Sequence, residues 1–134
     1  MNNPILLLKF SYIIGAILDV LVALQMFFPE TIFMISVIGV VNPNPAYLYA
    51  SYMSGVMMIG WATLLLWGYM RPVERMDILL ITSFPVVVGL MINDVFSVMS
   101  GFLPWLTAMV YLVIQVFLII IFSGSYYLNR KGND

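Results

Sequence analysis

At 134 residues the chain has the length of one domain, but 63% of its residues are hydrophobic, 8% are charged and its mean hydropathy is +1.08. A water-soluble domain carries roughly 25% charged residues, so a globule of this composition could not cover itself with polar groups, and the bilayer must serve as its solvent. The net charge of −1 leaves no basic surface for nucleic acid. Cys and His are both absent, which excludes disulfides, thiolate chemistry, iron–sulfur clusters, the usual zinc sites and His-ligated haem. No cofactor is expected. Any catalysis would have to do without the commonest general base near neutral pH.

The chain opens MNNPILLLKF. It has no basic n-region, and its apolar run continues past Asp19, so it reads as a retained span rather than a cleaved signal peptide. A membrane-spanning helix needs about 20 mostly apolar residues. Four segments qualify, at about residues 5–28, 46–69, 77–99 and 105–128 of a single membrane domain covering 1–134. They are too long for barrel strands and do not alternate in polarity, and a lone helix satisfies its own backbone in lipid. The expected fold is all-α, an up-and-down bundle of four transmembrane helices.

Between the first two spans lies residues 29–45, whose apolar part, FMISVIGVV, is too short to cross. It reads as a short interfacial helix or a re-entrant lid, ending at NPNP. MRPVERM is a short turn between spans two and three, and GFLP (Gly101 to Pro104) a tight turn between three and four. The two hairpins do not resemble each other, so an inverted-repeat transporter lacks support.

Orientation follows from the basic residues. Arg71 and Arg75 lie in the turn between spans two and three, Arg130 and Lys131 in the C-terminal tail, and Lys9 near the start of span one, from which it can snorkel to the same face. The other side holds only Glu30. This bias places both termini in the cytoplasm and the chain in the cytoplasmic (inner) membrane. The turn residues Arg71, Glu74 and Arg75 are expected to be solvated.

Ionisable residues within a span are costly and stand as functional hypotheses. There are two deep ones, Asp19 and Asp94. Counting from the inner ends of their helices at 1.5 Å per residue, they lie roughly 21 Å and 25 Å out, both in the outer half. Asn93, Ser97, Tyr52, Ser54 and Tyr111 reach the same level, and Gln115 lies deeper. Tyr12, Gly15, Asp19, Ala23 and Met26 make one stripe on the first helix, and Gly89, Asn93, Ser97 and Gly101 recur at every fourth position on the third, with Asp94 at its border. Ser51 with Gly55, and Ala50 with Ser54, form small-xxx-small pairs that let helices approach closely. Gly15, Gly55, Gly60 and Gly89 are expected at helix contacts, and Pro85 is expected to kink the third helix, because it has no N–H for the carbonyl of Ile81.

These residues predict a polar ligand or proton site lined by Asp19, Asn93, Asp94 and Tyr111, with Tyr52, Ser54 and Ser97 nearby. Two carboxylates in low dielectric without a basic partner should not both carry charge, so the pair could share a proton, bind a cation or bind an amine. The plainer reading is structural: protonated Asp, Asn and Tyr side chains hydrogen-bonding between helices, at ~0.6–2 kcal/mol each. The functional expectation is a non-enzymatic membrane protein that binds a hydrophobic or amine-bearing ligand, or serves as an accessory subunit of a membrane complex. The alternative is a proton-coupled small-molecule transporter using Asp19 and Asp94. Expected partners are membrane lipid and a second copy of the chain or a larger membrane protein.

The stretch GWATLLLWGYMRPVERMDILLITSFPVVVGLMINDVFSVMSGFLP (Gly60 to Pro104) resembles a group of small prokaryotic four-helix membrane proteins of unassigned function. The shared pattern is a Trp-bearing second helix (Trp61, Trp67), a turn with Arg71-Pro72 and Glu74-Arg75, and a third helix with Pro85 and the late acidic Asp94. The resemblance implies the four-span topology and gives weight to Asp94, and it brings no function. In gross architecture the chain is also similar to DoxX-like proteins and to small multidrug-resistance transporters, whose acidic residue lies in the first helix. Paired carboxylates in a membrane pocket are similar to those of the sterol-isomerase and sigma-2 receptor group.

Overall fold

The computed structural model describes residues 4–29 and 44–130. The interfacial or re-entrant segment, with Glu30, and the tail with Lys131 lie outside the described residues. The chain forms four helices, α1 (Pro4–Phe27), α2 (Pro45–Met70), α3 (Asp77–Met99) and α4 (Trp105–Arg130), each long and apolar enough to cross a membrane. The shortest has 23 residues, roughly 34 Å at 1.5 Å per residue, against a hydrocarbon core of about 30 Å.

Local chemistry sets the helix ends. The Asn44 side chain accepts the backbone N–H of Tyr47 at 2.8 Å, and Pro45 fills the first helical position, where no donor is needed. At the far end of α2 the Arg75 guanidinium lies 3.5 Å over the Trp67 ring and donates to the Trp67 carbonyl, one of the last carbonyls of the helix. Arg75 is therefore not simply solvated, as the turn composition implied. Arg71 and Glu74 do form an exposed ion pair at 3.2 Å, of little energetic weight in solvent.

The turn after α3 rests on Gly101, which has φ +75°. The N–H of Phe102 reaches the Ser97 carbonyl at 3.0 Å, and the N–H of Gly101 reaches that of Val98 at 3.0 Å. This is the glycine-terminated Schellman pattern. An added Cβ at Gly101 meets nothing within 4 Å, so the only penalty for Gly101→Ala is the left-handed backbone, about 1–2 kcal/mol. A detergent thermal melt should show that loss, while Gly124→Ala, also in open space but at a helical φ, should show none.

Pro85 acts on α3 by widening it. Residues Thr82–Val87 form a π-helical turn, in which the N–H of Val88 bonds the Ser83 carbonyl five residues back. A proline removes one backbone donor and crowds the carbonyl four residues earlier, and a wider turn relieves that crowding. The Thr82 and Ser83 hydroxyls donate to the carbonyls of Ile78 and Leu79. Trp61 Nε1 donates to Thr82 Oγ1 at 3.2 Å and ties α2 to this turn.

The best-packed part of the bundle is the end that carries the basic residues. Leu8, Tyr12, Ala16, Ala62, Leu65, Leu79 and Phe122 form its core. Tyr12 Oη donates to the Arg75 carbonyl at 2.7 Å, Ser11 Oγ to Ser125 Oγ at 3.0 Å, and Asn129 Nδ2 to the Pro4 carbonyl at 2.9 Å. The start of α1 thus meets the ends of α2 and α4. Toward the opposite end, Ser51 Oγ donates to the Met26 carbonyl at 2.8 Å, joining the end of α1 to the start of α2. There the second half of α3, Val88–Met99, buries no residue fully and packs mainly on α4.

Small residues divide into two groups. At Gly15 a Cβ would lie 3.0 Å from both Leu65 Cδ1 and Phe122 Cζ, and at Gly55 3.0 Å from Phe27 Cε1. These are helix contacts, as expected. Gly60 and Gly89 have open space around them, which corrects the expectation for both. Ala50 and Ser54 are exposed, and so are Gly89, Asn93 and Gly101, so these two small-residue faces turn away from the bundle. In lipid the outward faces are as apolar as the inward ones, and a small residue can sit outside at little cost. The tightest contact is at Gly68, where a Cβ would collide with the Tyr12 ring.

Candidate ligand site

The half of α3 beyond the π turn presents Met91, Asp94 and Val98 toward α4, all partly buried. Asp94 meets Gln115 there: Gln115 Nε2 donates to Asp94 Oδ2 at 2.8 Å. Gln115 had registered in the sequence only as a deeper polar group. Its spacing of four from Tyr111 on α4 is the signal that places the two on one face, and Tyr111 is partly buried there.

Gln115 donates its amide hydrogen to Asp94, and its own Oε1 is buried without a hydrogen-bond partner. Asp19 Oδ2 is likewise buried and unpartnered. Asp19 lies on the inward stripe of α1 between Gly15 and Ala23, both buried. Its nearest basic residue along the helix, Lys9, sits 5.6 Å over the Tyr69 ring and lies roughly 15 Å away along the axis, at 1.5 Å per residue. No hydrogen bond links Asp19 to Asp94 among the described residues. Gly15 packs beside Phe122, whereas Asp94 meets Gln115 two turns further along α4. Counting rises from those contacts puts Asp19 roughly one turn, or about 4–5 Å, nearer the basic end than Asp94.

The remaining predicted residues stand apart from the carboxylates. Ser97 Oγ donates to the Asn93 carbonyl and Ser54 Oγ to the Ala50 carbonyl, each at 2.8 Å on its own helix. Tyr52 is 46% exposed, and Asn93 is exposed on the side of α3 away from α4. The sequence also underweighted the polar groups of the basic half. Ser125 and Asn129, one turn apart on α4, are buried and bonded across to α1.

Among the described residues the buried side-chain atoms left over are the Ser123 hydroxyl, two turns beyond Gln115 on α4, and at the site itself a carboxylate oxygen of Asp19 and an amide oxygen of Gln115, with the Asp94 carboxylate beside the latter. A buried polar atom without a partner is destabilising, by roughly 1–3 kcal/mol. The group that would complete this set is a hydrogen-bond donor or a proton. Among the described residues no three acidic side chains converge on a metal position. No protein-family model, curated protein or solved structure matches the chain.

Proposed function

We propose that the chain is a non-enzymatic module of the cytoplasmic membrane, an up-and-down four-helix bundle with both termini inside, that binds an amine-bearing amphiphile at Asp94, Gln115 and Asp19. The observation that carries the reading is the pair of buried, unpartnered acceptors, Asp19 Oδ2 and Gln115 Oε1. An ammonium group supplies donors and positive charge together, and the apolar helix faces around it suit a hydrocarbon tail. Charge-assisted hydrogen bonds of this kind are the strong ones. The ligand would be tested with dodecylamine against dodecanol, which shares the tail and lacks the ammonium.

The orientation draws on Lys9, Arg71, Arg75 and Arg130, which share one end of the bundle, and on the rule that such residues stay in the cytoplasm. The chain has no cysteine, so single cysteines report topology cleanly. In sealed cells a membrane-impermeant maleimide should label Phe102→Cys, and should label Val73→Cys only after permeabilisation. The reverse pattern would overturn the orientation.

Proton-coupled transport would use the same unpaired carboxylate of Asp19. It requires flux that follows a proton gradient in reconstituted vesicles and disappears in Asp19→Asn. Binding of the amine without flux would leave the binding module as the function. The accessory-subunit reading requires instead a stoichiometric second protein in mild detergent.

A further inference from the structure

We infer that the exposed Asn93 side of α3 is a contact between two copies of this chain, related by a two-fold axis along the membrane normal. Asn93 lies six residues before the end of α3, roughly 9 Å inside it at 1.5 Å per residue, and so within the hydrocarbon layer. Its side chain is exposed and makes no hydrogen bond among the described residues. Exposed hydroxyls at membrane depth are treated differently by the fold. Ser54 and Thr63 each donate to the carbonyl four residues back, which satisfies them locally. An asparagine amide carries two N–H hydrogens and an acceptor oxygen, so even a bond to the carbonyl four residues back, such as Asn129 makes to Ser125, leaves its oxygen without a donor, and in lipid that oxygen needs a partner from outside.

The partner's chemistry follows from the amide itself. It carries both donors and an acceptor, so it is complementary to a second copy of itself. Two parallel copies bring Asn93 to the same depth, and the clustering of basic residues at one end makes all copies insert the same way. Gly89, one turn away on the same side, has nothing within 4 Å of where a Cβ would be, so a second helix can come close there. The side of α3 bearing Asp94 faces α4 within the same chain, which leaves the ligand site and the contact between copies on different sides of one helix, about 100° apart.

The absence of native cysteine makes disulfide trapping in the native membrane the direct test. Phe96 shares the Asn93 side and is exposed, whereas Val95, also exposed, lies on a different flank. Phe96→Cys should give a disulfide-linked product of twice the chain mass, and Val95→Cys should not. Adding Asn93→Leu to Phe96→Cys should lower that association by roughly 5- to 30-fold, the weight of one interhelical hydrogen bond in lipid. Asn93→Gln, which keeps the amide, should restore it. Equal trapping at Phe96→Cys and Val95→Cys, trapping unchanged by Asn93→Leu, or a cross-link only to a different protein would each overturn the inference.

Discussion

Gly68→Ala should destabilise the bundle, although alanine is the better helix former by about 0.8–1 kcal/mol. The new methyl group has no room. Tyr12 is fully buried against Gly68, and its hydroxyl is anchored on the Arg75 carbonyl at 2.7 Å. Either α1 and α2 separate or the ring turns out and loses that anchor. Overpacking of this kind costs roughly 1–3 kcal/mol. Gly60→Ala and Gly89→Ala meet open space, so the same substitution should be neutral or stabilising there. Unfolding in mixed micelles would measure all three. Tyr12→Ala removes the obstacle, and in that background Gly68→Ala should no longer destabilise, a coupling that additive effects would not give. If all three alanine variants gain stability alike, α1 and α2 do not meet at Gly68.

Loss of dodecylamine binding in Asp94→Asn is the second large effect expected. The substitution keeps the shape and removes the negative charge. A hydrogen bond to a charged group contributes roughly 1.5–3 kcal/mol, so affinity should fall about 10- to 100-fold at 1.4 kcal/mol per tenfold. Gln115→Leu should also weaken binding, because it removes the unpaired amide oxygen and the hydrogen bond that Asp94 accepts from Gln115. Dodecanol should bind the parent and both variants alike. A uniform loss of folded protein in Asp94→Asn, without any selective loss of amine affinity, would make the Asp94–Gln115 pair a structural tie between α3 and α4.

The four helices were legible in the sequence because length and apolarity alone define a span, and the lipid leaves helix as the only solution for an isolated segment. Helix ends lie within one or two residues of the expected bounds, since Asn44, Pro45, Asp77 and Gly101 mark them in the sequence. Pro85 was expected to kink α3, and what it stands in is a π-helical turn. Facing was much less legible. In water, apolar periodicity marks the buried side of a helix, but in a bilayer the outside is apolar as well. Repeats of small residues were then the only guide. The expectation that they face inward held at Gly15 and Ser51–Gly55 and failed at Ala50–Ser54 and Gly89–Asn93, which are exposed. Gly68 was hidden between Trp67 and Tyr69, where nothing recurs at a spacing of four to flag it. Of the predicted site, Asp94 and Tyr111 share the α3–α4 face with Gln115. Asn93 departs from it because adjacent residues on a helix point about 100° apart.

Native mass spectrometry of the protein, extracted gently from its own membrane, tests the central claim most directly. The expected spectrum shows one or two copies of the 15.2 kDa chain carrying a small basic amphiphile that is released on activation and is missing from Asp94→Asn. Bare chains of identical mass in parent and variant, or a fixed complex with a different protein and no small molecule, would contradict an amine site at Asp94 and Gln115.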